Sequence, residues 1–237
     1  MHNSPAHTHI HILLDRSGSM QSIVDDVIGG FNRFLAEQQA EGPDARITLV
    51  QFDGRDPHDV ILGGVPIAEA KPLTPDIFRP RGSTPLLDAT AALIERARTA
   101  ATLRAENGLP AERILFVSIT DGQENASRRH TLKQVRELIA RCEAEGWTFA
   151  FLSAALDAYA DAESLGIHRR SSQAFDPGAE GTMMAFSSLS HSTSRHRKQV
   201  READPGLSCA SYGDDFFGDD KPAEEHRKQK DEEKIRK

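Results

Sequence analysis

Short apolar segments alternate with amphipathic ones along the first 190 residues, and this alternation restricts the possible folds more than any other feature. The apolar runs are typical of strands buried on both faces of a parallel sheet and lie at about 8–14, 46–52, 114–120 and 147–153. Segments with helical periodicity lie between and after them, near residues 20–40, 85–104, 131–145, 157–165 and 178–192. This order of elements predicts a Rossmann-like, doubly wound α/β sandwich of three layers around a mostly parallel central sheet.

A weaker strand is predicted at residues 59–62, after a turn signal at residues 53–54. Too few residues separate it from the preceding strand for a crossover helix, so we expect an antiparallel edge strand. The strand order 3-2-1-4-5-6 is usual for this class and places the first and fourth strands side by side where the order reverses. Those two strands end at Asp15 and Asp121. Ligand sites lie at the carboxyl ends of strands flanking such a point, so the topology predicts a site there.

Three separate segments supply side chains suited to a metal ion at this point of the sheet. The first apolar run leads into Asp15-Arg16-Ser17-Gly18-Ser19, and the other two segments contain Thr84 and Asp121. The five candidate ligands carry oxygen and nothing softer, and they are Asp15, Ser17, Ser19, Thr84 and Asp121. Oxygen-only sets suit hard divalent cations, which predicts Mg²⁺ first and Mn²⁺ or Ca²⁺ as alternatives. Such a cation would also offset the repulsion between the two carboxylates.

Each of these residues also has a structural interpretation. Ser19 is placed to cap a helix beginning at Met20, and Thr84 is placed to cap a helix whose first residue is Pro85. The Asp121-Gly122 pair taken alone is an ordinary turn. The convergence of three segments at one point of the sheet favours the metal site, with capping as a secondary duty.

Composition divides the chain into an acidic body and a mixed-charge tail. The net charge is −7, and residues from His191 onward contain equal numbers of basic and acidic side chains, so the whole excess lies in the body. An acidic body argues against nucleic acid or an anionic membrane as the main partner. The tail has few large apolar residues, which predicts a folded domain at 6–190 and a disordered tail at 191–237. The aromatic pair in the acidic run 214–220 is interpreted as solvated tail rather than as a docking motif.

No part of the sequence resembles a targeting or membrane-spanning segment. The first apolar run is short and ends at Asp15, and the N-terminal residues before it are polar. The two cysteines, Cys142 and Cys209, fall in a predicted helix and in the predicted tail. We therefore expect no disulfide framework and a cytoplasmic protein.

His7, His9 and His11 alternate, so their side chains share one face of the first strand. A histidine metal cluster is one interpretation. The three residues enter the strand from the end opposite Asp15, and the sequence shows no further ligand for them. Packed or solvated histidines are therefore the favoured interpretation.

Sequence patterns for catalysis are scarce. The chain has no Asp-x-Asp pair at Asp15, because position 17 is Ser, and it has no G-x-S-x-G elbow or P-loop. Glu124 and Asn125 are the polar residues nearest to the five oxygens and are interpreted as part of a loop before a helix. We expect a protein that is not an enzyme. The alternative is a metal-dependent hydrolase or phosphoryl-transfer enzyme that uses the same oxygen ligands.

The segments 14–20, 82–88 and 120–125 resemble those of von Willebrand factor type A (VWFA) domains, in particular stand-alone bacterial members. The resemblance covers residues 6–190, and all five positions of that family's metal-ion-dependent adhesion site are matched. It implies that Ser17, Ser19 and Thr84 contact the metal directly and that Asp15 and Asp121 act partly through water.

In that family the ion's open position is filled by a glutamate or aspartate of a protein partner. The resemblance therefore implies a metal-dependent protein-binding module without turnover. Intracellular relatives work in multiprotein assemblies and stress responses, including tellurite-resistance systems, and the sequence selects none of these.

Overall fold

The central layer is a six-stranded sheet in a computed structural model that describes residues 7–203, 215–218, 221, 222, 226 and 228. Its strands are β1 (His7–Asp15), β2 (Ala45–Phe52), β3 (Asp59–Pro66), β4 (Glu112–Thr120), β5 (Thr148–Ser153) and β6 (Ser172–Ala174). The order is β3-β2-β1-β4-β5-β6, and only β3 is antiparallel to its neighbour. The predicted fold class and the antiparallel edge strand are therefore confirmed. The short strand β6 was not predicted, because three residues carry too little periodicity to be recognised.

Helices cover both faces of the sheet and separate two hydrophobic cores. They are α1 (Val24–Ala40), α2 (Leu86–Glu106), α3 (Leu132–Ala144), α4 (Ala158–Leu165) and α5 (Ala179–Glu202). One core joins alternate residues of β1, such as Ile10 and Ile12, to Phe31 of α1 and Leu189 of α5. The other core joins Leu13, which points to the opposite face, to residues of α2, α3 and α4.

The ends of two helices show which capping predictions hold. Thr131 and Gln134 form a capping box at the start of α3, where a threonine precedes a glutamine by three positions. Pro85 is the N-cap of α2 and makes no side-chain capping bond, and Thr84 does not cap this helix. The free N–H groups of α2 are bonded from a distant loop instead, by Glu124 to Leu87 at 2.9 Å and by Ser127 to Asp88 at 3.0 Å.

The structure differs from the sequence prediction at the boundary after residue 190. Helix α5 continues to Glu202 and buries residues on its inner face well beyond that point, including His196, Arg197 and Val200. The Arg197 guanidinium is fully buried and pairs with Asp44 at 2.5 Å. The composition of the whole tail did not reveal this buried face. A charged residue such as Arg197 suggests a solvated segment, but here its charge is neutralised by Asp44 inside the folded body. Most of the remaining predicted tail lies outside the described residues.

The aromatic pair of the acidic run packs against the folded body rather than facing solvent. Phe216 and Phe217 are buried in the same core as α1 and α5. Their backbone N–H groups donate to the side chain of Ser171 at 3.2 Å and to the carbonyl of Arg170 at 2.9 Å. The pair is therefore an internal anchor for residues 215–218. Among the described residues, no helix combines the length and the apolar character needed to cross a bilayer.

Candidate functional site

Strand pairing brings Asp15 and the end of β4 together. Leu14 of β1 is in register with Ile119 of β4, so Asp15 lies beside Thr120. The Asp15 carboxylate is fully buried and accepts a 2.6 Å hydrogen bond from the Thr120 hydroxyl and a 2.7 Å bond from the backbone N–H of Ser17. These bonds fix the carboxylate at the carboxyl end of the sheet, where the topology predicted a site.

Hydroxyl groups link the first segment to the third. The side-chain oxygens of Ser17 and Ser19 are 3.0 Å apart, and the Ser19 hydroxyl donates to an Asp121 carboxylate oxygen at 2.6 Å. Ser17 precedes the 3₁₀ turn Gly18–Ile23 without a capping bond from its side chain. The serine side chains therefore face the site rather than a helix end.

Thr84 joins the same group of atoms, with Gly122 at its centre. A Cβ placed on Gly122 would lie 3.3 Å from the Thr84 hydroxyl, 3.5 Å from the Ser19 hydroxyl and 4.0 Å from Asp15 Oδ2. Side-chain oxygens of the first and second segments thus lie around Gly122, which belongs to the third segment and follows Asp121. The structure brings together the five residues predicted from the sequence, and Ser19 keeps the site open to solvent.

The site is electrostatically unfavourable for its own carboxylates. Burial raises the pKa of Asp15 to about 6, even though the bonds from Thr120 and Ser17 act in the opposite direction, and the nearby Asp121 charge raises it further. Burial also raises the pKa of Asp121, despite the bond from Ser19. Positive charge among these oxygens would favour the ionised form of both groups.

The donor set fits a hard cation. Within the part of the chain that the structure describes, no three histidine, cysteine, aspartate or glutamate residues form a metal cluster. Two carboxylates and three hydroxyls are present instead, from Asp15, Asp121, Ser17, Ser19 and Thr84. This set lacks the nitrogen and sulfur donors that zinc prefers and suits an ion of the Mg²⁺ type.

A buried ion-pair cluster holds the first two segments in position. Arg16 donates to Asp53 at 2.9 Å and to Asp59 at 2.7 Å, and Arg81 donates to Asp53 at 2.9 Å. Backbone bonds reinforce this link, because Gly18 donates to the carbonyl of Gly82 at 3.0 Å. Burial alone would raise the pKa of Asp53, but bonds from backbone N–H groups and from the two arginines lower it. Sequence reasoning missed this cluster, since no local pattern connects Arg16 to a residue 37 positions away.

The loop after β4 holds Thr84 from the other side. Asn125 and Thr84 exchange two bonds, from the Thr84 N–H to the Asn125 side chain at 2.9 Å and from the Asn125 N–H to the Thr84 carbonyl at 3.1 Å. Both carboxylate oxygens of Glu124 accept hydrogen bonds, from Leu87, Ala126 and Ser127. Asp88 accepts from the next three backbone N–H groups of the same loop. Glu124 and Asn125 are therefore engaged in positioning the site.

The histidines of β1 lie at the other end of the strand. His9 and His11 are buried and point to the face covered by α2, with ring centroids 3.9 Å apart. His9 is packed between Glu112 and Thr48, at 3.1 Å and 2.9 Å. His9 and His11 are therefore packed side chains, as the sequence favoured, and they take no part in the five-oxygen site.

No family model matches the sequence, and no curated protein is significantly similar to it. Among solved structures, the pilus adhesin SpaC from Lactobacillus rhamnosus GG is similar, with 14% identity and a TM-score of 0.58 over 85% of this chain and 32% of the adhesin. Proximal thread matrix protein 1 from the mussel byssus has 15% identity and a TM-score of 0.55 over 78% and 47% of the two chains.

The von Willebrand factor type A protein from Catenulispora acidiphila has 10% identity and a TM-score of 0.49 over 80% of this chain and 43% of that one. The present chain thus spans about a third of the adhesin and about half of the matrix protein. At 14% and 15% identity, the likeness to the adhesin and the matrix protein shows a common fold and nothing of function.

Proposed function

We propose that this protein is a module that binds a protein partner through a divalent metal ion, Mg²⁺ or a similar hard cation. Asp15, Ser17, Ser19, Thr84 and Asp121 would hold the ion. When bound, the ion would supply an open coordination position for a glutamate or aspartate of the partner. The observation that carries the proposal is the convergence of three segments at the carboxyl ends of β1 and β4. Oxygens of Asp15, Ser19 and Thr84 lie around Gly122, and Ser19 bonds the Asp121 carboxylate.

The roles of the protein residues follow from their contacts. The Ser17–Ser19–Asp121 chain orients two hydroxyls and one carboxylate, and a partner has access at the exposed Ser19 and the half-buried Asp121. Thr120 and the Ser17 N–H hold Asp15 below them. The Arg16–Asp53 cluster and Asn125 keep the three segments at a fixed separation, which reduces the ordering that metal binding requires.

The proposal describes binding without turnover. Glu124, one of the two polar residues nearest to the five oxygens, has both carboxylate oxygens engaged with backbone N–H groups and the Ser127 hydroxyl. The sequence resemblance to VWFA domains and the pilus adhesin among the similar structures both agree with an interaction role. The acidic body argues against nucleic acid or a membrane as the main partner, and the scarcity of cysteine agrees with a cytoplasmic location. A role in a bacterial assembly or stress response is proposed from the resemblance to VWFA domains alone.

Metal titration tests the first half of the proposal. Titration calorimetry with Mg²⁺, Mn²⁺ and Zn²⁺ is expected to show binding of the first two ions that is lost in Asp121→Ala. Asp76→Ala is the matched control, because Asp76 is 90% exposed and pairs with the exposed Arg79 three positions later. Tight Zn²⁺ binding that Asp121→Ala removes, with no binding of Mg²⁺ or Mn²⁺, would contradict the assignment.

A pull-down in Mg²⁺ and in EDTA, followed by mass spectrometry, tests the second half. We expect the wild type and Asp76→Ala to retain the same partners in Mg²⁺. These partners should be lost when EDTA is added, and they should not be captured by Asp15→Ala or Asp121→Ala. Thermal melts of each variant must show a folded domain. The core does not depend on either carboxylate, so their removal should leave stability unchanged or slightly raised. Capture of the same partners in EDTA by folded variants would place the binding surface elsewhere.

A further inference from the structure

A second site lies at the opposite end of the sheet from the five-oxygen site. A cavity of about 600 Å³ opens between β1, β2, β3 and the C-terminal half of α2. Its wall includes His9 and His11, which precede Asp15 on β1 by roughly 20 and 13 Å of extended strand. The volume falls in the range of small-molecule sites, about 300–1,000 Å³.

His11 is a buried polar group that points into this cavity without a partner. Its side chain is 1% exposed, and neither ring nitrogen has a hydrogen-bond partner among the described residues. Burial lowers the pKa of His11 well below 6.5, and the nearby charges of His9 and Arg96 lower it further. The ring is therefore neutral at pH 7 and has one donor and one acceptor to offer. A ligand that forms these hydrogen bonds would satisfy a buried polar group that otherwise has no partner among the described residues.

The cavity is positively charged although the chain as a whole is acidic. Arginines 46, 96 and 104 and a single carboxylate, Glu112, are the charged side chains of its lining. Arg46 and Arg104 both lie near Glu112, at 3.7 Å and 3.4 Å. Arg96 has no carboxylate within ion-pair distance in the described part of the chain. An anion would complete this arrangement, with Arg96 as the charge available to it.

Two glycines of β3 form the wall beside these cations. A Cβ on Gly63 would lie 3.4 Å from an Arg96 Nη atom, and one on Gly64 would lie 3.3 Å from an Arg46 Nη atom. Gly64 has φ +67°, a backbone conformation that disfavours other residues. The rest of the lining includes Leu103, which is 53% exposed at the mouth of the cavity. The site thus combines an apolar surface with a cationic wall.

We propose that this cavity binds a small organic anion, a carboxylate or a phosphate monoester attached to an apolar body. Arg96 holds the anionic group, His11 hydrogen-bonds a polar atom of the ligand, and the apolar body lies against Leu103. Binding at this site requires no metal ion and is independent of the five-oxygen site.

Two fluorescent probes with nearly the same apolar body test the charge requirement. The anion 8-anilinonaphthalene-1-sulfonate should bind the full chain with increased fluorescence, in Mg²⁺ and in EDTA alike. The neutral N-phenyl-1-naphthylamine lacks the sulfonate and should bind at least about tenfold more weakly, because one charge-assisted hydrogen bond contributes on that order. Equal affinity for the two probes would overturn the proposal.

Variants then locate the probe. Arg96→Gln should weaken binding of the anion about tenfold, and Ala100→Phe should abolish binding of both probes by filling the cavity. Arg98→Gln is the matched control, because Arg98 lies two positions away on α2 and pairs with Glu145 outside the cavity. Melting curves identify folded variants. Unchanged affinity in Arg96→Gln, or in a folded Ala100→Phe variant, would overturn the proposal.

Competition identifies the chemistry of the anion. Displacement of the bound sulfonate by 1-naphthoate supports a carboxylate ligand, and displacement by 1-naphthyl phosphate supports a phosphate monoester. Failure of both to displace it would contradict the proposed ligand class. Asp121→Ala should behave like the wild type in all these experiments, which separates this site from the metal site.

Discussion

Gly122 lies among the oxygens of the five-oxygen site, where a larger side chain would crowd them. The backbone at this position is not in the left-handed region, so alanine is conformationally acceptable there. The added methyl group would nevertheless meet the Thr84 and Ser19 hydroxyls at 3.3 Å and 3.5 Å. The requirement for glycine is therefore steric and comes from residues far away in the sequence.

We predict that Gly122→Ala weakens Mg²⁺ or Mn²⁺ binding at least about tenfold, because a methyl group would displace oxygens that must reach the ion. Titration calorimetry measures the loss. The melting temperature should change little, since the site lies outside both hydrophobic cores.

Gly29→Ala is the matched control for Gly122→Ala. A Cβ at Gly29 on α1 meets nothing within 4 Å, so this variant should bind metal normally. It should gain about 0.5–1 kcal/mol of stability from the better helix propensity of alanine. Normal metal affinity in Gly122→Ala would show that the ion is held elsewhere.

Helix α5 is the element whose length the sequence concealed most. Its inner face carries many serine and threonine residues, and Gln38 of α1 bonds the Ser190 carbonyl at 3.1 Å across the helix interface. Small side chains let the two helices approach, and Gly30 of α1 lies directly against the ring of Phe186. Hydrophobicity alone does not reveal such an interface, because its contacts are made by small and polar groups.

Arg197 is predicted to anchor the end of α5. Arg197→Met should lower the free energy of unfolding by about 3 kcal/mol, because it leaves Asp44 with one partner and the Gln38 and Gly42 carbonyls without their donor. Urea unfolding at pH 7 measures the change.

Lys198→Met provides the comparison for Arg197→Met. Lys198 is 66% exposed and pairs with the exposed Glu202 one turn later, so its loss should change stability by less than about 0.5 kcal/mol. If both substitutions had the same small effect, α5 would not be anchored by this ion pair, and residues beyond 190 would behave as the tail predicted from composition.

The whole molecule contains buried histidines that make its stability depend on pH. Burial lowers the pKa of His196 to about 4, and the charge of Arg113 contributes in the same direction. The unfolded chain takes up a proton at this residue near pH 6.5, and the folded protein does so only near pH 4. The ionisation of His196 therefore does not change the free energy of unfolding above pH 6.5, and it lowers that free energy increasingly as the pH falls towards 4.

We predict that replacing His196 by leucine makes stability less sensitive to acid. At pH 5 the unfolded chain binds a proton at His196 and the folded protein does not, which lowers the free energy of unfolding by about 2 kcal/mol relative to pH 7.5. His196→Leu should remove that difference. Urea unfolding of both proteins at the two pH values measures it. The subtraction cancels other groups such as Asp15, whose raised pKa acts in the opposite sense.

An equal loss of stability on acidification in the wild type and in His196→Leu would contradict this assignment. His191→Leu on the same helix is the control, because His191 is exposed. This control should retain the full acid sensitivity of the wild type.

The sequence by itself determined the fold class, the antiparallel edge strand and the five oxygen residues, and the usual strand order of that class matches the observed one. Alternating periodicity reports burial directly, and the rule for ligand sites in doubly wound sheets then places Asp15 and Asp121 together. These features depend on patterns within a few residues, or on a chain topology with few alternatives. The metal function attached to the five residues remains a prediction.

Only the tertiary structure decided which groups hold those residues in place and where the folded body ends. The Arg16–Asp53 ion pair, the Asn125–Thr84 bonds and the burial of Arg197 join positions between 37 and 153 residues apart. A polar or charged residue looks the same in sequence whether water or a distant partner satisfies it. Packing excludes water from buried positions, and each buried polar group must then bond to another part of the chain. Only the folded structure shows which part that is.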